Sequence, residues 1–482
     1  MLAAATPPLF DYPNHLARMH IIAHLADHPA LQRFYALVWR PVPNLAMDLA
    51  VPPLARIIPL AWAGKAFILA TFLLIAGGTA ALHRVLFARW SAWPCLAFLL
   101  LYNRILLWGF LNFLFGVGLA LAALALWIAL GRRPLRLPIA ALLALALYLA
   151  HLFALGAYAV LLGGYEIGRL WREGRLTSRA GLGELAASAA QFLLPAVLLW
   201  TSTAASGGAG PLLYSHVARK FDLFFNILDN YDRPFDIATF VLLGGLFLAG
   251  AARRKIAFSR AMVLPLLLLL ATQLAMPNRA FGGTGVDHRM PIVLALVLVA
   301  ASRPVRLPAA LGAGLALLFL VRLVIVAAHW QAADRAYAPL VAALGALPEG
   351  TRLAVALPPD SVHIGTFPPI THLASLAVIA ADAFVPTLFH SAGQQPLRFR
   401  PRYQALADAA SPEAIWQVLV ARTPDSGGRV AAALAGYDDI VVFGSRQAPG
   451  DPRLRLRAQL PDLAAGLYAL EAPGAARGPA KH

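Results

Sequence analysis

The pattern of apolar and polar positions divides this chain into two unlike parts. Between residues 61 and 330, long uncharged runs such as GVGLALAALALWIAL alternate with short loops rich in arginine. A helix needs about 17–25 apolar residues to cross the hydrocarbon of a bilayer, and shorter runs serve where helices are broken or buried. Spans are therefore expected near 61–82, 92–104, 107–131, 137–150, 151–170, 188–203, 235–252, 261–276, 290–302 and 307–328, about ten in all. After residue 330 the period changes. RLAVALPP, DDIVVFGS and LYALEAP read as short strands. SPEAIWQVLVAR opens a helix with a Ser cap and a Pro in the first turn, and GRVAAALAGY reads as another.

Composition agrees with the pattern. The 482 residues are 60% hydrophobic and 13% charged, with a mean hydropathy of +0.68, whereas soluble domains carry about 25% charged residues. The expected fold class is a polytopic α-helical membrane protein with a small C-terminal extracytoplasmic α/β domain. Residues 1–60 form an outer loop with amphipathic or re-entrant helices, 61–330 the multi-span domain, and 331–482 the soluble domain. The net charge of +17 does not point to nucleic acid, because the excess falls in short loops between apolar runs. Arg84 and Arg89, then Arg132, Arg133 and Arg136, then Arg169, Arg172, Arg175 and Arg179, then Arg253, Arg254, Lys255 and Arg260, then Arg303 and Arg306 mark every second loop. Such loops stay in the cytoplasm. By alternation both the first 60 residues and everything after 330 lie outside a bacterial inner or plasma membrane. A chain that begins outside normally follows an earlier span, so a further helix upstream is expected. The single cysteine, Cys95, allows no intrachain disulfide.

Polar chemistry collects on the outer side. In LFDYPNHLARMH, residues 9–20, Asp11 precedes Tyr12 and Pro13 in the manner of a helix cap. Asp11, His15 and Arg18 then share one helix face. A carboxylate there can act as a general base and a guanidinium can hold a phosphate or carboxylate. The competing reading makes Asp11 a cap and the others a solvated face. RPVPNLAMDLAVPPLARIIPL, residues 40–60, is too short and proline-broken to span and suits an interfacial or re-entrant helix carrying Asp48. Asp11, Asp48 and His15 are the candidate catalytic residues. Lys65, Arg104 and Arg322 lie at membrane depth, and Asp287, His288 and Arg289 occupy GGTGVDHRMP before a short span. With Arg18 they are the candidate substrate-binding residues, suited to a lipid phosphate, although long cationic side chains also snorkel without function. His20 and His24 have the spacing of two metal ligands on a helix, with His28 four residues on. No Glu follows His20, so they read as exposed ring donors. No cofactor and no metal is assigned, a divalent ion being the lesser alternative.

An outward DYPNHLAR sequence near the N-terminus, then a re-entrant helix, about ten spans and an outer domain, resembles the GT-C superfamily of integral membrane glycosyltransferases. PLAWAGKAFILATFLL is similar to a span of that family beginning with Gly and a basic residue. The resemblance implies a polyprenyl-phosphate-linked sugar as donor and a glycan, lipid or protein as acceptor. It implies inversion at the anomeric carbon, with Asp11 as the base that deprotonates the acceptor hydroxyl. Such members often carry a second acidic residue in the next outer loop. Here that loop, around Arg104, has none, so Asp48 would serve or no metal is used. The rival expectation is a transporter or flippase-like protein of the cell envelope, which would show internal repeats that this sequence lacks. A non-enzymatic scaffold would leave the Asp11–Arg18 cluster without a role.

Overall fold

The computed structural model describes residues 3–202, 212–280, 283–362, 369–447 and 449–471. It opens with α1 (Tyr12–His24), α2 (Pro29–Phe34) and α3 (Ala46–Ala55). The helical body then runs through α4 (Leu60–Phe87), α5 (Arg104–Leu107), α6 (Leu111–Leu130), α7 (Arg136–Ala150), α8 (Leu152–Arg172), α9 (Arg179–Ala190) and α10 (Leu193–Thr201). Further helices are Arg233–Ala252, Val263–Ala275, Met290–Ala301 and Ala309–Gly345.

Among the described residues four helices are long and apolar enough to cross a membrane: α4, α6, Arg233–Ala252 and Ala309–Gly345. The α9–α10 pair, bent by 47°, makes a fifth if counted as one broken span. The expected ten are thus corrected. Each expected stretch contains helical structure, but several are too short to span alone. Trp93–Leu100 is a 3₁₀ helix, and three residues after it the Asn103 side chain caps α5. His151 has extended backbone (φ −170°) and divides α7 from α8. The body is held by close crossings. A Cβ on Gly118 of α6 would lie 2.7 Å from the Ile75 nitrogen of α4, so glycine there lets the two backbones touch.

The five basic loops meet at one end of this body. Arg132 reaches Glu184 at 3.4 Å, and Arg175 and Arg169 converge on the same carboxylate. Arg172 donates to the Arg260 carbonyl. Strand β2 (Ile256–Phe258) pairs with β5 (Ser302–Pro304), and the Trp93 indole donates to Ser302.

Two corrections concern domain limits. Ala309–Gly345 is one continuous helix of 37 residues, so no linker falls at 331. Its second half inserts Ala333, Tyr337, Leu340 and Leu344 into the C-terminal core. Nor is 1–60 a separate loop. Strand β1 (Tyr35–Leu37) pairs with β7 (Leu397–Phe399), and Phe34, Tyr35, Ala17 and Ile21 belong to that same core. Helix α1 lies between the two cores, giving Tyr12, Leu16 and Met19 to the helical one. The C-terminal sheet has the order β6 (Leu353–Ala356), β8 (Asp439–Val442), β10 (Ala465–Leu470), β9 (Leu454–Leu460), with β6 and β8 parallel and the rest antiparallel. Every residue of β6 and β8 is buried; all are apolar except Asp439, whose carboxylate pairs with Arg457. The expected helix at 412–419 is present, capped by the Ser411 hydroxyl on the Ala414 N–H.

Candidate active site

Asp11 stands at the cap position of α1, yet its carboxylate makes no bond to the helix. Its backbone is fixed instead. The Phe10 and Asp11 N–H groups donate to the carbonyls of Leu107 (2.8 Å) and Trp108 (3.2 Å). Gly109 follows with φ +83°, and a Cβ there would come within 2.9 Å of the Asp11 Cβ. The turn after α5 is therefore a cradle that only glycine can close, and it leaves the Asp11 oxygens for other partners. A second fixing contact is Gly64 in the first turn of α4, which packs against the Tyr12 hydroxyl.

One partner comes from the far end of the chain. His372 Nε2 is 3.5 Å from Asp11 Oδ1. Asn14, fully buried, donates through Nδ2 to the Thr387 carbonyl (2.8 Å), accepts from the Phe389 N–H (3.0 Å), and sets Nδ2 3.3 Å from His372 Nδ1. Because the amide nitrogen can only donate, Nδ1 is the acceptor and the ring proton sits on Nε2, toward Asp11. Phe10 and Phe389 hold the imidazole edge-on, at 5.3 and 4.9 Å between centroids.

The most informative cation is Arg289. It precedes the Met290–Ala301 helix and is buried among aromatic rings, its guanidinium carbon 4.6 Å from the Phe110 centroid and 5.0 Å from that of Phe153. Its Nε has no hydrogen-bond partner, and among the described residues no carboxylate lies within ion-pair distance. Burial pulls its pKa down to about 10, and the charge of Asp11 is what opposes that shift. His288, next to it, packs tilted against Trp108 with ring centroids 4.7 Å apart; burial holds its pKa below the usual histidine range. The Trp108 Nε1 and His288 Nδ1 atoms are also buried without partners.

Several expected site residues are instead committed to structure. Arg18 Nε and Nη2 bond both oxygens of Asp48 at 2.7 and 3.0 Å, with neither side chain exposed. Asp48 is therefore no free base and Arg18 no free phosphate ligand; the sequence could place them on two helices but not show that they meet. His15 is locked behind Asp11 by Arg18 (3.2 Å) and the Gly109 backbone. Burial first, then the Arg18 charge, holds it well below its usual pKa, which makes it a neutral positioning residue. Arg322 pairs with Asp236 and the Leu228 carbonyl, both at 2.6 Å. Arg104 pairs with Asp229 at 2.8 Å. Asp287 accepts from Asn278 and lies 4.0 Å from Lys220, which donates to the Met276 carbonyl. Lys65 rests over Trp62 at 5.0 Å, in the first turns of α4.

A cavity of about 1110 Å³ lies in the helical body; Asp11, His372 and Arg289 are not among its lining residues. Pro291, Leu294, Ala295 and Leu298 form one wall, continuing the helix that Arg289 begins, and Phe240, Leu243 and Phe247 form another. Its cationic residues, Arg253, Lys255 and Arg306, belong to the basic-loop end. A smaller pocket containing Arg104 and His288 shares Ile227 and Pro291 with it. Sequence reasoning missed this cavity, the aromatic surround of Arg289, and His372, a lone histidine in THLASLA with no periodic signal. Neither the protein-family models nor the curated proteins gave a match to this chain.

Proposed function

We propose that this chain is an integral membrane glycosyltransferase, set in a bacterial plasma membrane with its C-terminal domain outside. It moves a sugar from a polyprenyl-phosphate donor to an extracytoplasmic glycan, lipid or protein acceptor. The observation that carries the reading is the Asp11 carboxylate, not engaged in capping its helix, set near Arg289, a buried cation with no carboxylate in ion-pair range among the described residues, together with an apolar cavity along the helix that Arg289 begins. Such a cavity suits an isoprenoid tail and such a cation suits the phosphate at its head.

In this mechanism the acceptor hydroxyl gives its proton to Asp11. The acceptor oxygen forms the new bond to the anomeric carbon while the bond from that carbon to the phosphate oxygen breaks. The lipid phosphate leaves on the opposite face with the bonding electron pair, so configuration inverts. Arg289 stabilises the charge that grows on the departing phosphate. His372 Nε2–H orients the carboxylate. The groups around Asp11 are cationic or neutral, a poor setting for a divalent ion, so charge stabilisation rests on the arginine.

The test is Asp11→Asn. Asn caps a helix as well as Asp and keeps its size, but it cannot accept the proton. The purified variant, reconstituted in liposomes and supplied with a panel of polyprenyl-phosphate hexoses and pentoses, is expected to bind donor and to transfer about 10²–10⁴ times more slowly than wild type. Wild-type turnover in a stable Asp11→Asn protein would end the proposal.

A further inference from the structure

Away from Asp11, at the other end of α1, two imidazoles bond one carboxylate and a third ring packs beside them. His20 Nε2 is 2.9 Å from Asp382 Oδ1, and His28 Nδ1 is 2.6 Å from Asp382 Oδ2. The His24 ring lies 4.8 Å from His20 and 5.2 Å from His28, centre to centre. One donor atom each from His20, His28 and Asp382 falls within 4.8 Å of the others. The expectation of exposed ring donors is therefore corrected, since His20 and Asp382 are buried.

We infer that His20, His28 and Asp382 form a divalent transition-metal site, with zinc the ion their chemistry fits best and His24 positioned to enter as a fourth ligand. Two imidazole nitrogens and a carboxylate oxygen make a donor set that zinc accepts at about 2.0–2.2 Å, in tetrahedral geometry completed by a fourth ligand or a water. The three donor atoms lie within 4.8 Å of one another, so an ion enters by side-chain adjustment around one centre. Asp382 is also held in an unusual way. It ends the Leu376–Ala381 helix with φ +46°, a left-handed conformation that Asp tolerates better than most residues. That turn aims the carboxylate at α1. A plain structural role would need one imidazole for one carboxylate; here a second histidine binds the same acid and a third packs against both rings.

The position gives the site a use. Its ligands join the helix that carries Asp11 to the segment that carries His372, and Asn14 stitches those same two elements nearer the active site. A bound ion would clamp the C-terminal domain onto α1. This inference does not depend on the glycosyl-transfer reading.

The experiment uses the full chain, without a polyhistidine tag, in detergent micelles. Protein stripped with a chelator is titrated with Zn²⁺ and then with Co²⁺, whose visible spectrum reports tetrahedral nitrogen–oxygen coordination. Wild type is expected to take up one equivalent at micromolar free metal and to melt at higher temperature once loaded. Loss of a partner behind a metal ligand already costs 10–100-fold in affinity, so His28→Gln and Asp382→Asn should each weaken binding by at least about tenfold. His28 is partly exposed at the start of α2, so His28→Gln tests the site even where Asp382→Asn disturbs folding. Failure of stripped wild type to bind one equivalent, or His28→Gln binding as wild type does, would overturn the assignment.

Discussion

The Nε2 of His372 and the Oδ1 of Asp11 stand 3.5 Å apart, although one residue opens the chain and the other lies in its C-terminal third. The candidate base is thus completed by the C-terminal domain. His372→Ala removes the donor that orients Asp11 but leaves the proton acceptor. Turnover should fall by about tenfold to a hundredfold, less than for Asp11→Asn, with donor affinity kept. Steady-state kinetics beside donor binding check this. A change in donor affinity with unaltered turnover would place His372 in binding instead.

Asp48 offers a sharp contrast with Asp11. It neutralises Arg18, and neither side chain is exposed. Removing one partner of a buried pair leaves an uncompensated charge at a cost of about 3–5 kcal/mol, while an apolar replacement of both is often tolerated. Asp48→Asn should therefore lower the melting temperature sharply, and Arg18→Met with Asp48→Leu should restore much of it. A stable Asp48→Asn protein that has lost turnover would return Asp48 to the catalytic residues.

These contacts explain what the sequence could and could not disclose. Apolar runs and cap residues located the helices and the strands at 353–356, 439–442 and 465–470, because those signals are local. Strand β9, LRLRAQL, was overlooked: it is an edge strand with arginines on its open face, so it lacks the buried run that marks β6 and β8. The limit at 331 vanished because a helix can leave one core and enter another without any break in its own hydrogen bonds. At the site, Asp11 and Arg289 stood out as polar groups in unusual places. Arg18, Arg104 and Arg322 stood out for the same reason, yet each proved to have a carboxylate partner. Periodicity reports which face a charge occupies, not which distant charge it meets.

His15 makes stability depend on pH. Folding keeps it neutral, chiefly through burial, while the unfolded chain takes up a proton near its ordinary pKa of about 6.5. Below that value the unfolded state binds more protons than the folded one, so stability is complete above about pH 6.5 and declines as pH falls. His20 is shifted the same way and adds to the slope. Melting temperatures recorded from about pH 8 down to about pH 5 should fall less steeply for His15→Gln than for wild type. Equal slopes would show that His15 does not titrate in this way.

Arg289 should separate stability from function most clearly. A guanidinium buried among Phe110, Phe113 and Phe153, with no carboxylate in ion-pair range among the described residues, offsets its desolvation through the aromatic rings and the charge of Asp11. Among the described residues no ion pair holds the guanidinium, so Arg289→Ala should leave the melting temperature unchanged or raise it. On the proposed function the same substitution would remove charge-assisted hydrogen bonds to the donor phosphate, each worth about 1.5–3 kcal/mol, which is roughly a tenfold to hundredfold loss of affinity. Arg289→Lys keeps the charge but loses the planar fork and the ring stacking, so its affinity should fall between the other two. Binding of a polyprenyl-phosphate sugar to wild type, Lys and Ala proteins, measured beside thermal melts, gives the ordering. Equal affinity in wild type and Arg289→Ala would remove the phosphate from this pocket; a steep loss of stability in Arg289→Ala would make the arginine a structural element.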